Sequence, residues 1–229
     1  MMPGRRPSRL GLVTIGQAPR DDVVPGMLCH LPADCEVLQA GALDGLGAAE
    51  IRAMAPGPGD YVLATRLADG SAATVARRFV LPRLAAAVAD LEGRGCEVTA
   101  VLCTGTFPEL ATAKLLVEPE RIFHAVCTGV ADKRRLGAII PLAAQIPQAT
   151  ARWRAAGVEA VVAAASPYGP PERLVAAARE LRGEAVDLVA LDCFGFTAAM
   201  RSVVRRETGC PTLLPGTYLA RVLGELLAV

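Results

Sequence analysis

Short apolar runs alternate with longer amphipathic segments along the whole sequence, and this alternation limits the fold more than any other feature. The apolar runs have the length and residue types of strands, and they cover residues 10–15, 36–39, 98–103, 136–140, 160–164 and 186–191. The segments between them have helical periodicity, and they cover residues 21–29, 79–94, 145–156, 171–182, 197–207 and 217–227. Several runs are apolar at every position, as strands are in a parallel sheet that is covered by helices. We therefore predict an α/β fold built on parallel sheets.

The pattern of strands and helices occurs twice in the chain. Arg-Leu-Gly opens a predicted strand at 9–11 and again at 135–137, and each copy leads through the same order of elements to an apolar run that ends in cysteine. The two endings read AVLCTGTF and VALDCFGF, and their cysteines are Cys103 and Cys193. The repeat predicts two pseudo-symmetric halves. The alternative is a chance recurrence in a chain that is rich in alanine and valine.

The first copy of the repeat is longer than the second. We place its extra residues in 41–77, where Asp69-Gly70 stands between two short apolar runs. An Asp-Gly pair between such runs is a strong signal for a tight β-hairpin. We therefore expect a hairpin inserted into the first half.

Composition excludes several classes of partner. The 229 residues can form one substantial core or two small ones, and a net charge of +1 gives no reason to expect binding to nucleic acid or to a membrane surface. No apolar run reaches the ~18 residues of a membrane-spanning helix. The start, MMPGRRPSR, lacks the features of a secretory signal, so we expect a cytoplasmic protein. The sequence is compatible with a homo-oligomer.

The cysteines are more typical of free thiols than of disulfides or metal ligands. There are seven of them without a Cys-x-x-Cys pair, and no histidine has the spacing of a zinc site. His30 near Cys29 and Cys35 could contribute to a metal site, but packing is the better interpretation. We therefore expect no metal. No glycine-rich phosphate loop follows a strand, and Lys114 and Lys133, the only lysines, occur in charged or helical surface settings, so we expect no cofactor.

Cys103 and Cys193 are the candidate catalytic residues. Each ends a predicted strand just before a glycine and a helix, and ligands of open α/β sheets bind at the carboxyl ends of strands. If the halves face each other across a pseudo-twofold axis, the cleft between them has one thiol on each wall. One thiolate could then remove a proton from a carbon next to a carboxylate, while the other thiol protonates the opposite face.

The chemistry requires a thiol pKa below the usual value of about 8.5. A helix N-terminus and backbone N–H groups around Gly105 and Gly195 could lower it, and the same groups could hold a substrate carboxylate. Asp192 would raise the pKa if it pointed the same way as Cys193. Neighbouring residues of a strand point to opposite faces, so we expect Asp192 to cap a turn or to accept a backbone N–H.

The sequence resembles the AroM family, within the aspartate/glutamate racemase superfamily. The matching stretches are LVTIGQAPRDDV at 12–23, VEPERI at 117–122, GAIIP at 137–141, VDLVALDCFGF at 186–196 and the tail YLARVLGELL at 218–227. The resemblance implies two sandwich domains with a cleft between them. It implies that the first consists of residues 1–112 plus 212–229 and that the second, residues 113–211, is inserted in it. It implies no particular reaction.

The loop after the first strand supplies further candidates. In the superfamily this loop helps to hold the polar groups of the substrate, which here implies a binding role for Thr14, Gln17 and Arg20. We favour Arg20 as the partner of a substrate carboxylate, because its planar fork suits bidentate binding. The alternatives are a simple turn before a helix that starts at Asp21, and an ion pair between Arg20 and a nearby acid.

Residues next to the two cysteines complete the predicted site. Thr104 and Thr106 could donate hydroxyls to a carboxylate or cap the next helix. We also expect Gly105, Phe194 and Gly195 to line the cleft. Ser-Pro-Tyr-Gly at 166–169 ends another strand and could line the same cleft, but an ordinary turn is the better interpretation.

These residues support three hypotheses. The leading one is a cofactor-independent racemase or isomerase that acts on a small acid through Cys103 and Cys193. The second is a single-cysteine isomerase or decarboxylase that uses Cys193. The third is a non-catalytic protein that binds or senses a small carboxylate.

Overall fold

The computed structural model describes residues 7–107 and 110–228, and it contains two four-stranded parallel sheets. The first sheet has the order β2-β1-β5-β6, with β1 at Arg9–Thr14, β2 at Glu36–Gly41, β5 at Val98–Val101 and β6 at Leu115–Val117. The second has the order β10-β9-β7-β8, with β7 at Leu136–Ile140, β8 at Val161–Ala164, β9 at Leu188–Leu191 and β10 at Thr212–Leu213. Read from β8, the second order repeats the first. The α/β fold and its pseudo-symmetry are confirmed.

The helices cover the sheets and connect their strands. They are α1 at Pro25–Leu28, α2 at Ala48–Ala53, α3 at Arg77–Gly93, α4 at Pro119–Ala131, α5 at Ile146–Ala155, α6 at Pro171–Gly183, α7 at Ala198–Thr208 and α8 at Pro215–Leu227. The short helix α2 and the long helix α4 were not predicted. None of the helices in the described ranges is long and apolar enough to cross a membrane.

Each sheet buries side chains on both of its faces. Along β1, Leu10 and Leu12 pack against α8, while Val13 packs against α3 on the other face. The second sheet is likewise enclosed by a cluster around α6 and by a cluster around Trp153. This burial explains why the strands are apolar at nearly every position.

The segment 41–77 contains α2 and an antiparallel hairpin. Its strands are β3 at Val62–Arg66 and β4 at Ala72–Ala76, and the turn between them includes Asp69 and Gly70. Gly70 has φ +87°, a left-handed conformation that favours glycine.

The hairpin reaches from the first half to the second. Gln148 of α5 accepts the backbone N–H of Val62 at 3.0 Å and donates to its carbonyl at 2.8 Å. Gln145 donates to the same carbonyl at 3.0 Å. These bonds hold β3 against the second half.

The pairing of the edge strands bears on the implied domain boundaries. β6 lies after residue 112 yet pairs with β5 of the first sheet, and β10 lies after residue 211 yet pairs with β9 of the second. Each implied boundary therefore has one short edge strand of the preceding sheet on its C-terminal side. The division of the chain into two domains stays a prediction.

Candidate active site

A small cleft lies where the carboxyl ends of β1, β5, β7 and β9 meet. It has a volume of about 40 Å³, roughly three times the 10–15 Å³ that one buried water needs. Both Cys103 and Cys193 line it, and so do four of the residues predicted beside them, Thr104, Gly105, Phe194 and Gly195. Residues of β3 form part of the wall. The cleft therefore collects the repeated cysteine motifs of both halves in one place.

The two thiols have matching local structures. The backbone N–H of Gly105 points to Cys103 Sγ at 3.2 Å, and the N–H of Gly195 points to Cys193 Sγ at 3.4 Å. The strand that bears Cys103 ends at Val101, two residues earlier than predicted, so both cysteines lie in turns beyond their strands. In each turn the N–H two residues after the cysteine donates to the sulfur, and a hydrogen bond to the sulfur favours the thiolate.

Burial has a larger effect on the pKa values of the two thiols than these hydrogen bonds have. It raises the pKa of Cys103 to about 11, although the Gly105 N–H and the Arg152 and Arg20 charges lower it. Burial likewise raises the pKa of Cys193 to about 12, and a charge on Cys103 adds to this rise. Both pKa values are raised, which is the reverse of the expected lowering.

Alkylation should report these raised pKa values. We expect iodoacetamide to modify Cys103 and Cys193 slowly at pH 7.5, because the thiolate is the nucleophile and its fraction is small well below the pKa. Their rates should climb as the pH passes about 9 toward 11. Exposed Cys29 is the internal control. Peptide mass spectrometry of timed reactions measures all three, and equal rates for them at pH 7.5 would contradict the raised pKa values of Cys103 and Cys193.

A hydrogen bond crosses between the two halves beside the thiols. Thr104 Oγ1, next to Cys103, donates to the backbone carbonyl of Asp192, next to Cys193, at 3.1 Å. Thr104 is 6 % exposed, so little solvent competes for the bond. The bond ties the two cysteine-bearing turns to each other.

Asp192 has a different role from the predicted turn cap. Its side chain is fully buried, and its Oδ2 accepts from Arg152 Nη2 and, at 3.1 Å, from Trp153 Nε1. His124 Nε2 lies 4.0 Å from the same oxygen. Burial raises the pKa of Asp192, but the Arg152 charge and contacts with His124 and Thr104 outweigh burial and lower it to about 2. Asp192, which is among the residues that line the cleft, is therefore an ionised carboxylate.

Arg152 connects this carboxylate to the hairpin. Its Nη2 donates to Asp192 and its Nη1 donates to the hydroxyl of Tyr61, just before β3, at 3.0 Å. Its Nε is buried and has no partner among the described residues. Opposing burial, the Asp192 charge and the Tyr61 contact raise the pKa of Arg152, so it stays a cation. Arg152 and Tyr61 both line the cleft.

Arg20 also lines the cleft, but its guanidinium is occupied. Nε and Nη2 donate to the two oxygens of Asp22 at 2.8 Å, Nη1 donates to Thr14 Oγ1 at 3.2 Å, and Nη2 also donates to Tyr168 OH at 3.2 Å. Four of its five N–H groups are thus engaged. The fork expected to bind a carboxylate instead forms the alternative ion pair, here with Asp22.

Three of the predicted binding residues lie outside the cleft wall. Thr14 accepts a hydrogen bond from Arg20 and so helps to hold that side chain. Gln17 donates to the carbonyls of Leu43 and Leu46 at 3.2 Å and accepts the N–H of Ala68, so its amide braces loops. The backbone of Thr106 accepts from Arg77 Nη1 at 2.9 Å, and its side chain is not part of the wall. These three residues therefore stabilise loops or support Arg20, and they do not contact a substrate in this cleft.

Gly195 and Phe194 fit the site for steric reasons. A Cβ on Gly195 would overlap the ring of Tyr168 and would lie 2.7 Å from Pro167 Cγ. The Ser-Pro-Tyr-Gly segment at 166–169 therefore lines the cleft through Tyr168 as well as forming a turn. Phe194 is 3 % exposed and packs among residues of β1 and α8, so it anchors the second half in the core of the first.

The polar residues beneath the cleft were missed because they are far apart in sequence. His124 and Trp153 lie on α4 and α5, and their ring centroids are 4.0 Å apart. His124 Nδ1 lies 3.4 Å from Glu120 Oε1, one helical turn away. The sequence did contain two hints of this polar cluster: Arg152-Trp153 on a predicted helix, and an acid next to Cys193. No group of three or more metal-binding side chains that could hold an ion occurs in the part of the chain that the structure describes.

Solved structures with the same fold include several enzymes. Allantoin racemase from Pseudomonas fluorescens superposes with a TM-score of 0.63 at 15 % identity, over 96 % of this chain and 90 % of that one. A glutamate racemase from Bacillus anthracis gives 0.63 at 14 %, over 97 % and 82 %. A cysteine-to-serine mutant of Nocardia farcinica maleate cis-trans isomerase with a covalently bound succinylcysteine intermediate gives 0.60 at 16 %, over 96 % and 92 %. At these identities the likeness establishes the fold.

One family model matches almost the entire sequence. No curated protein matches the chain. The family model described as AroM protein matches residues 10–227, which include both halves and both cysteine turns. The chain belongs to the AroM family.

Proposed function

We propose that this protein is a cofactor-independent racemase- or isomerase-like enzyme for a small carboxylic acid. Cys103 and Cys193 would move the proton at the carbon next to the carboxylate. The observation that carries the proposal is that corresponding thiols of the two halves line one small cleft. A carbon held between them presents one face to each sulfur.

The reaction needs one thiolate and one thiol. The thiolate removes the α-proton, and the other thiol delivers a proton to the opposite face, so the pair ends with its protonation states exchanged. The Gly105 and Gly195 N–H groups favour the thiolate form, and the positive charges of Arg20 and Arg152 act in the same direction. These groups oppose the effect of burial. General acid–base catalysis of this kind contributes about 10²–10⁴-fold to a rate.

Structural neighbours add support from enzymes of the same fold. Two of them are named as racemases, and the third is an isomerase caught with a succinyl group on cysteine. Proteins of this fold therefore include racemases and an isomerase that forms a covalent adduct at cysteine. The second possibility is the single-cysteine alternative for this chain, with Cys193 as the reactive residue.

Exchange of the α-proton in D₂O tests the proposal. We expect the wild-type protein to introduce deuterium at the α-carbon of at least one acid among the enantiomers of aspartate, glutamate, malate and mandelate, followed by proton NMR. The Cys103→Ser/Cys193→Ser variant should lose the exchange, whereas Cys29→Ser, at an exposed thiol away from the cleft, should keep it.

Three outcomes would reject the two-thiol scheme. Exchange that survives the loss of both thiols would exclude them as the acid and base. Full activity in Cys103→Ser, with all activity lost in Cys193→Ser, would favour the single-cysteine enzyme. Binding of an acid without exchange in the wild-type protein would favour the non-catalytic alternative.

A further inference from the structure

The cleft contains two guanidinium groups, and they differ in what they can still bind. Arg20 and Arg152 are the arginines among the residues that line it. The side chain of Arg20 is 3 % exposed, whereas that of Arg152 is 12 % exposed. Of the two guanidinium groups, that of Arg152 is therefore the more accessible to a carboxylate in the cleft.

The hydrogen bonds of the two guanidinium groups support the same conclusion as their exposure. Arg20 uses four N–H groups on Asp22, Thr14 and Tyr168. Arg152 uses one N–H on Asp192 and one on Tyr61, and its buried Nε has no partner within the described ranges. A buried donor without a partner is rare in native proteins and calls for an explanation. Among the described residues, Arg152 therefore leaves three of its five N–H groups unused, whereas Arg20 leaves one.

The surroundings of Arg152 fix it in place without using up its donors. Asp192 lies beneath it and is itself held by Trp153. Tyr61 holds the other end of the guanidinium from the hairpin, and the Tyr61 hydroxyl also accepts the Thr106 N–H at 3.4 Å. A cation held by a carboxylate and a phenol is oriented before an anion arrives, which lowers the entropy lost on binding.

We propose that Arg152, oriented by Asp192 and Tyr61, is the residue that binds the carboxylate of the substrate. The inference rests on the proposed function for the identity of the cleft as the substrate site. Arg152 is then a binding residue, and Asp192 and Tyr61 are positioning residues that act through it. Arg20, which the sequence favoured for this role, instead supports the wall of the cleft.

Binding measurements with matched variants test this assignment. Isothermal titration with the enantiomers of aspartate, glutamate, malate and mandelate identifies the acid that the wild-type protein binds best at millimolar concentrations. Arg152→Gln/Asp192→Asn removes both charges together, so no unpaired charge stays buried and the protein should fold. We expect this variant to bind that acid about 10–100-fold more weakly, the loss typical of hydrogen bonds to a charged group.

Two further variants separate binding from positioning. Asp192→Asn keeps the cation and should lose clearly less affinity than the double variant. Tyr61→Phe removes only the hydroxyl and should also lose less. Unchanged affinity in the double variant, equal losses in Asp192→Asn and the double variant, or no binding of any of these acids by the wild-type protein would overturn the assignment.

The test of Arg152 as the binding residue does not depend on whether the thiols are catalytic. Titration of the Cys103→Ser/Cys193→Ser variant measures binding without turnover. If binding depends on Arg152 but no exchange occurs, the proposed function fails and the binding assignment stands. If exchange depends on the thiols but binding ignores Arg152, only the assignment fails.

Discussion

Replacing Cys103 alone by serine is expected to slow the interconversion of two enantiomers by about 10²–10⁴-fold, and replacing Cys193 alone should do the same. Each thiol faces one side of the substrate carbon, so interconversion needs both. Exchange without interconversion needs only the thiol that faces the α-proton. Each single variant should therefore retain exchange with one enantiomer, and the two variants should retain opposite ones.

Chiral chromatography and proton NMR on the same reactions measure both quantities. Cys29→Ser controls for general effects of removing a thiol, since Cys29 is exposed and lies outside the cleft wall. Loss of exchange with the same enantiomer in both variants would mean that the thiols do not act on opposite faces.

Replacing Arg152 alone by glutamine is expected to lower the free energy of unfolding by about 3–5 kcal/mol, the range for breaking a buried ion pair from one side. Asp192 would keep its charge in a fully buried position without its main partner. Arg152→Gln/Asp192→Asn should recover most of the loss, because no unpaired charge is left. Urea unfolding of the three proteins measures the difference, and equal stability of both variants would show that the pair is not coupled.

The same pair makes a pH-dependent contribution of known sign. The pKa of Asp192 is lowered to about 2 in the folded protein, against about 3.9 in an unfolded chain. Its stabilising contribution is therefore complete above pH 3.9 and is lost as the pH falls through 2. The stability of the wild-type protein should fall more steeply than that of the double variant between pH 4 and 2.

The fold could be predicted because its signals are local and repeated. Apolar runs such as 136–140 are strands with those bounds, since a strand buried on both faces shows its burial in its own composition. The helix α4 escaped prediction although Phe123, Cys127 and Ala131 are buried at a spacing of four. Short edge strands such as β10, with two residues, carry too little pattern to be recognised.

The site was predictable only where a motif is contiguous. The cysteine turns were found from the repeat, and both thiols line the cleft. The partners of their neighbours come from other elements: Arg152 from α5, Tyr61 from the approach to β3, and Tyr168 from the loop after β8. The sequence favoured Arg20 as the free cation, although Asp22, two residues along the same loop, occupies it. The pair of Arg152 and Asp192 joins residues 40 positions apart, which sequence spacing does not reveal.

Isotope tracing over the first turnovers tests most directly whether two opposed thiols transfer the proton. A single enantiomer of the substrate acid is incubated in D₂O, and the deuterium content of product and of recovered substrate is measured by mass spectrometry after chiral separation. With Cys103 and Cys193 on opposite faces, the product should carry solvent deuterium from the outset while the recovered substrate stays protonated. Transfer of the original proton into the product would show that one base acts on both faces and would contradict the account.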